Sequence, residues 1–372
     1  MELTLDCETE TYNKGNPFDS RGGLVSVHAY YEGSTYSYRP HEMERIPRNE
    51  AKILILFNAK FDLHWLRKNG LEFDIPIWDV QLAHFMLRNQ LTKFPSLDDV
   101  LIYYNLPVKF DKVKELWDQG VQTSNIDWDI LCEYGEGDVL KTYQCYQKQV
   151  EEFKQDPQLF KLFRLCCKDT YVLAEMEWNG LKFNREKCAS KSREIQKNIN
   201  KLVGELSSVY PGISINFGSN DQLSAYLYGG TIKEEVREII GFYKTGNKIG
   251  SPRFKVSEVE HPLPRLFTPI RGSEMAKEGI YSTSADTLKK LKGKHKWIVD
   301  HLLELAKLSK LNETYFDGLP SKNEQYHWPE NMLHPQYNQC VAVSGRLSSS
   351  NPNGQNLSGD VLEVFESRYG SI

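Results

Sequence analysis

KILILFNAKFDLHWLRKNG, residues 52–70, changes periodicity half-way through, and the change decides the fold. KILILF (Lys52–Phe57) is a continuous apolar run, the pattern of a strand covered on both faces. Asn58 then stands where a helix N-cap would, Ala59–Asn69 reads as a helix, and Gly70 occupies the place of a left-handed closing residue. A buried strand feeding straight into a helix is the unit of an α/β layer. Asp62 falls in the first turn of that helix, close to where strand ends form a site.

The same logic extends outward. Leu3–Glu8 alternates like a strand, with Leu3, Leu5 and Cys7 on one face and Thr4, Asp6 and Glu8 on the other. LVSVHAYY (Leu24–Tyr31) and TYSYR (Thr35–Arg39), separated by Glu-Gly-Ser, predict a hairpin. A short strand ends near Asp79, and helices are expected around Val80–Arg88, Leu97–Asn105 and Ile126–Val150. Three early strands followed by alternating strands and helices predict a mixed sheet with helices packed over it. Beyond Val150 the pattern turns helical. Ile195, Ile199, Leu202, Val203 and Leu206 hold one helix face, with Lys187, Lys191, Arg193, Lys197 and Lys201 around the rest. A second helical region, Ala285–Thr314, carries Leu302, Leu305 and Leu308 and is interrupted by Gly293. Between them, GFYKTGNKIGSPR (Gly241–Arg253) reads as a basic Gly-rich loop. There is no repeat or low-complexity segment.

The 372 residues accommodate two or three domains. Seven cysteines form no C-x-x-C pair, which fits reduced thiols and excludes a thiolate zinc site of the usual spacing. No apolar stretch approaches the roughly 18 residues of a membrane span, and the amino terminus lacks the pattern of a signal peptide. A soluble intracellular protein is expected. The net charge of −4 is unevenly spread: residues 1–150 hold 16 Lys+Arg against 23 Asp+Glu, the remainder 30 against 27. An acidic first part can gather carboxylates around metal ions, and a basic second part can meet phosphates.

Asp6-Cys-Glu8 alone is weak evidence in an acidic chain. Its context strengthens it, because Asp62 lies at a strand end and Asp138 follows Tyr134 by four residues in EYGEGDV, so both project from one helix face. Like charges held close are costly unless cations neutralise them. Hard oxygen ligands suit Mg²⁺ or Mn²⁺, and two such ions about 3.5–4 Å apart serve phosphodiester cleavage.

LDCETE, FNAKFDLHWL and EYGEGDV together resemble the three exonuclease motifs of the DEDD superfamily, in its tyrosine-containing subgroup, and WDVQLAHFML (Trp78–Leu87) is similar to the segment after the second motif. The resemblance implies a ribonuclease H-like domain in which Asp6, Glu8 and Asp138 hold a first divalent ion, Asp6 bridges to a second, and Asp62 supports the second. It also implies that Tyr134 orients the attacking water with Glu8, and that Asn58 and Thr9 contact the terminal nucleotide. EMEWNGLKFN (Glu175–Asn184), INFGSNDQLSAYL (Ile215–Leu227) and the Tyr281–Leu319 region resemble the thumb of family A DNA polymerases, making Lys191, Lys197 and Lys201 candidate contacts to a DNA backbone. HPQYNQCVAVSGRLSSSNPNGQNL is similar to the opening hairpin and loop of that family's palm, with Arg346, Gln355 and Asn356 matching residues that reach the minor groove. Ser344, Gly354, Leu357-Ser358 and Leu362 depart from the usual residues there.

By this resemblance the expected architecture is an α/β exonuclease domain (1–150), a mostly α thumb-like DNA-binding region (151–320) and the truncated start of a polymerase palm, a β-hairpin (321–372). The D-Y-S-x-x-E, fingers and His-Asp-Glu motifs expected after the last residues do not follow. The expectation is therefore a metal-dependent 3′→5′ exonuclease, the proofreading part of a phage-type polymerase, unable to polymerise alone and either completed by a separate palm–fingers chain or the product of an interrupted reading frame. Its partners would be a single-stranded 3′ end and primer–template duplex DNA, in the cytoplasm of the host cell if phage-encoded. The alternatives are a free-standing DEDD exonuclease and a catalytically silent DNA-binding or assembly subunit, which would have no reason to keep all five site residues.

Overall fold

Leu3, Leu5, Leu54, Ile55 and Leu56 are almost completely buried, and the strands that carry them form the centre of a five-stranded sheet. The computed structural model describes residues 1–108, 112–246 and 249–367. The chain divides into two units, Met1–Arg185 with Leu319–Ile372 and Glu186–Gly318.

In the first unit the sheet runs in the order β3-β2-β1-β4-β5, with β1 Glu2–Thr9, β2 Leu24–Tyr31, β3 Ser34–Tyr38, β4 Ile53–Leu56 and β5 Ile77–Asp79. β1 pairs antiparallel with β2 and parallel with β4, so the sheet is mixed as expected. The β2–β3 turn has left-handed Glu32 and Gly33 between the paired Tyr31 and Ser34, a two-residue hairpin whose twist suits the strands. The helices of this unit are α1 Ala59–Lys68, α2 Val80–Leu87, α3 Leu97–Tyr103, α4 Lys112–Asp118, α5 Trp128–Phe153 and α6 Pro157–Asn179.

The polar face of β1 is covered rather than solvated. Thr4 and Glu8 are as buried as their apolar neighbours, because α5 packs across β1, β2 and β3. α1 and α6 pack against one another, α1 also meets β1, β4 and β5, and α6 meets β5. Trp78 donates its indole N–H to Gln149 on α5 (2.9 Å), and the Gln149 amide donates to the Val80 carbonyl (2.9 Å), a fully buried clasp that fixes α5 relative to β5.

Asn58 does stand before the first helical residue, but its side chain does not cap α1. It is left-handed (φ 61°), and the cap comes from Asp79, whose carboxylate accepts from the backbone N–H groups of Asn58 (3.2 Å) and Ala59 (2.9 Å). The same carboxylate accepts from Gln81 (3.0 Å) and Leu82 (3.2 Å) and so caps α2 as well. One buried acid thus serves two helix N-termini.

The end of this unit adds three short strands around β6 Leu181–Phe183, which pairs with Met332–Leu333 and Phe365–Glu366, and a small hairpin of Gln336–Asn338 with Ser348–Ser350. Arg346, Gln355 and Asn356 are exposed on and beyond that hairpin.

The second unit contains α7 Arg185–Ser207, α8 Asn220–Tyr228, β7 Gly230–Phe242, β8 Pro252–Leu263, α9 Ala285–Lys290 and α10 Lys296–Leu311. Leu206, Tyr226, Leu227, Ile298 and Val299 form its core. Gly293 (φ 127°) lies in the expected break between α9 and α10. Gly241–Arg253 is not a free-standing loop: Gly241, Phe242, Pro252 and Arg253 are paired strand residues at the outer end of a long antiparallel ribbon. Two residues of the expected loop, Asn247 and Lys248, lie outside the described residues. Cross-strand pairing from Gly230↔Leu263 to Phe242↔Pro252 extends the strands well into the segment.

Candidate active site

α5 approaches the sheet at Gly135, where the helix contributes no side chain and its backbone lies against the His28 ring of β2. A Cβ built there would lie 2.0 Å from a ring carbon of His28 on β2, so only glycine permits this spacing. The next residue, Glu136, accepts from Thr35 Oγ1 (2.7 Å) and Ser37 Oγ (2.8 Å) on β3. His28 is itself fixed between Ser26 and Ser37 at 2.9 Å each. These contacts set the height and rotation of α5 over β1, and with them the position of Asp138.

The result is a carboxylate cluster. Asp6 and Glu8 from β1 and Asp138 from α5 each offer an oxygen, all within 4.8 Å of one another. Glu8 is buried, while Asp6 and Asp138 are half-buried and open the cluster to solvent. Asp62, in the first turn of α1, reaches the same strand from its neighbour. Its Oδ1 accepts from the Cys7 backbone N–H at 3.0 Å, beyond the point where β1 pairs with β4. Its Oδ2 is buried with no hydrogen-bond partner. Burial raises the Asp62 carboxyl well above the ordinary aspartate range, and the neighbouring Asp6 charge raises it further. Burial likewise pushes up the Cys7 thiol, with Asp62, Asp6 and Glu8 adding to it. Cys7 is therefore held as an inert thiol between two acidic residues.

Tyr134 is one helical turn before Asp138 and packs edge-on against Trp117, with ring centroids 5.6 Å apart. Thr9 is buried at the end of β1, its carbonyl accepting from Thr123 Oγ1 at 2.6 Å. Asn58 is exposed on the rim of a cavity of about 330 Å³ within the first unit, lined also by Lys60, Phe61, His64, Gln339 and Asn351. In the second unit Lys197 and Lys201 lie one turn apart on α7 and are exposed, whereas the half-buried Lys191 projects about 120° around the helix from Lys197. The three lysines do not form one patch. Sequence reasoning singled out Tyr134 and Asp138 but missed the positioning roles of Gly135 and Glu136, which stand between them in the same motif.

The donor set is chemically coherent for a hard divalent cation. It consists of carboxylate oxygens without nitrogen or sulfur, and beside it the buried Asp62 Oδ2 lacks any donor. Residues 2–154 match the family model of a 3′-5′ exonuclease, and residues 264–368 match that of DNA polymerase family A. The chain belongs to DNA polymerase family A. It is 30% identical over 305 residues to the DNA polymerase I of Synechocystis sp., a match covering 82% of this chain and 27% of that protein. It is 25% identical over 361 residues to the DNA polymerase of Bacillus phage SP01, covering 88% of this chain and 38% of that one. The chain therefore spans well under half the length of these relatives. In fold it is similar to the POL domain of Pol1 from M. smegmatis, solved in complex with DNA primer-template and dNTP, with a TM-score of 0.67 at 18% identity over 96% of this chain and 52% of that one. The amino-terminal part of this family A chain is thus a 3′-5′ exonuclease domain, a class that uses divalent metals. Among the described residues no helix is long and apolar enough to cross a membrane.

Proposed function

We propose that the chain is a two-metal 3′→5′ exonuclease of the DEDD tyrosine subgroup that removes nucleotides from the 3′ end of DNA as the proofreading part of a family A polymerase. The convergence of Asp6, Glu8 and Asp138 within 4.8 Å carries this reading. Asp6, Glu8 and Asp138 would hold one divalent ion, with Asp6 and Asp62 supporting a second. When bound, the ions supply Lewis acidity and charge neutralisation at the scissile phosphate.

The protein's own groups have separate tasks. The Tyr134 phenol, on the same helix face as Asp138, orients the attacking water together with Glu8. Thr9 and Asn58 hold the terminal nucleotide. The ribonuclease H-like domain over residues 1–150 is followed in this reading by a thumb-like region (151–320), in which Lys191, Lys197 and Lys201 meet backbone phosphates, and by the start of a palm (321–372). There the exposed Arg346, Gln355 and Asn356 reach the minor groove of a primer–template duplex.

With Mg²⁺ the purified chain is expected to shorten a 3′-labelled single strand. Asp6→Ala and Asp138→Ala are each expected to lower the cleavage rate by at least about 10²–10³-fold, comparable to removal of a transition-state charge stabiliser, while binding of the strand stays within about twofold. Wild-type cleavage by either variant would refute the assignment.

A further inference from the structure

The β7–β8 ribbon has two ends of different character. At its root, Ile232 and Leu263 are buried in the core of the second unit, and the charges are mutually satisfied: Lys233 pairs with Glu258 and Glu260 at 3.2 Å, Arg237 with Glu235 at 2.7 Å, and His261 with Glu234 at 3.0 Å. Beyond Glu238 the chain has no acidic residue until Glu258, yet it contains Lys244, Arg253 and Lys255. Among the described residues these three form no ion pair.

The outer end is also apolar and uncovered. Ile239 is 56% exposed, Phe242 61%, Tyr243 40% and Phe254 45%. Register assigns them to faces. Ile239 pairs with Phe254 and Phe242 with Pro252 on one face, while Arg253, Lys255 and Tyr243, whose N–H bonds to the Ser251 carbonyl at 3.0 Å, alternate onto the other. A two-stranded ribbon is a single backbone layer thick, so one flexible polymer can reach both faces at once. Isolated ribbons are marginal in water, and an aromatic tip of this size gains little by standing in solvent.

We infer that the outer half of this ribbon is a binding surface for single-stranded DNA, separate from the exonuclease site. Three cations that form no ion pair, of which only Lys255 stands across the ribbon from a carboxylate, that of Glu238, complement a phosphodiester backbone. Aromatic rings interleaved with them stack unpaired bases, which a duplex keeps inside its own stack. The charge complementarity selects a polyanion over an apolar protein surface, and the exposed rings select a single strand over a duplex. The choice of DNA rests on the exonuclease reading above, so the test scores binding apart from cleavage.

The full chain is titrated with a fluorescent dT oligonucleotide and, separately, with a blunt duplex, with chelator present so that no strand is cut. For Lys244→Gln/Arg253→Gln/Lys255→Gln the expected result is single-strand binding about 10- to 100-fold weaker near 0.1 M salt, and a log–log salt slope shallower by about 2, as for the loss of three phosphate contacts. Phe242→Ser/Tyr243→Ser is expected to weaken it about fivefold or more by removing stacking. Lys244→Arg/Arg253→Lys/Lys255→Arg is expected to bind like the parent, which separates a charge effect from a folding defect. Unchanged single-strand affinity and salt slope in the triple Gln variant, a loss confined to the duplex, or a ribbon that binds only another protein would each overturn the inference. Mg²⁺-dependent cleavage of a short labelled strand, measured in parallel, is expected to persist in the ribbon variants. Its absence from the parent chain would count against the exonuclease reading and leave the binding result standing.

Discussion

Two sets of strands in this molecule are built from similar residues and put to opposite uses. In the five-stranded sheet α5 packs over the polar side of β1, burying Thr4 and Glu8 and bringing Asp138 up to Glu8 and the half-buried Asp6, so the acids become a concentrated cluster with one side open to solvent. In the β7–β8 ribbon neither face is covered beyond the root, and its apolar and basic residues remain open. The difference teaches that strand chemistry is set by what packs on it. Burial converts acids into a prospective cation site by raising the cost of their charge, while exposure leaves cations and rings available to a polymer that brings its own charge.

The largest stability effect is expected where a buried acid holds a largely buried cation. Glu177 on α6 is 4% exposed, and its carboxylate accepts from the Tyr337 N–H (2.6 Å), His64 Nε2 (2.9 Å) and the Lys60 ammonium, which also donates to the Tyr337 carbonyl. Burial alone would push this carboxyl up, but the hydrogen bond from His64 and the Lys60 charge hold it below the ordinary glutamate range. Glu177→Gln should therefore cost about 3–5 kcal/mol in urea unfolding, since it leaves Lys60 without its buried counter-charge. The sign of the pH dependence follows from the lowered folded-state value. The stabilisation is fully present above the ordinary glutamate value of 4.5 and is lost as pH falls through the depressed one. The gap between wild type and Glu177→Gln should close on acidification below that value; a gap that widens there would show that the carboxylate is not the stabilised form.

An intermediate effect tests how burial positions chemistry. Gly135→Ala would force α5 away from His28, with a stability loss of about 1–3 kcal/mol for the overpacking and a cleavage rate lower by about 10²-fold, because Asp138 and Tyr134 move with the helix. Relief of the clash by His28→Ala in the same chain should recover much of the rate. If the double variant is as slow as Gly135→Ala alone, the close approach is not what places Asp138.

These two cases also mark how far the sequence could be read. The strand–helix unit at residues 52–70, the hairpin at 24–38 and the candidate acids were legible because they depend on spacing within a few residues. Asp79 capping α1 is 20 positions from the N–H it accepts, and the Glu177 contacts span 113 to 160 positions, so no local pattern announces them. The ribbon was obscured for another reason. Ile232, Val236, Ile239 and Ile240 fall at spacings that suit a helix face as well as a strand, among Glu, Lys and Arg residues that favour helices. Only the partner strand, whose stretch RFKVS (Arg253–Ser257) alternates aromatic and β-branched residues with polar ones, decides between them.

The smallest effect sharpens the contrast most. Ile239 is large, apolar and paired with Phe254, and in the covered sheet the loss of such a side chain would be felt throughout the core. Here it is 56% exposed, so Ile239→Thr, which keeps β-branching and strand propensity, should change stability by no more than about 0.5 kcal/mol in calorimetric unfolding. A loss of 1 kcal/mol or more would mean that the outer ribbon is buried in the folded protein, by a second copy or another segment, and the contrast with the covered sheet would vanish. A loss that grows with protein concentration would identify the second copy, because a surface covered by association stabilises by mass action.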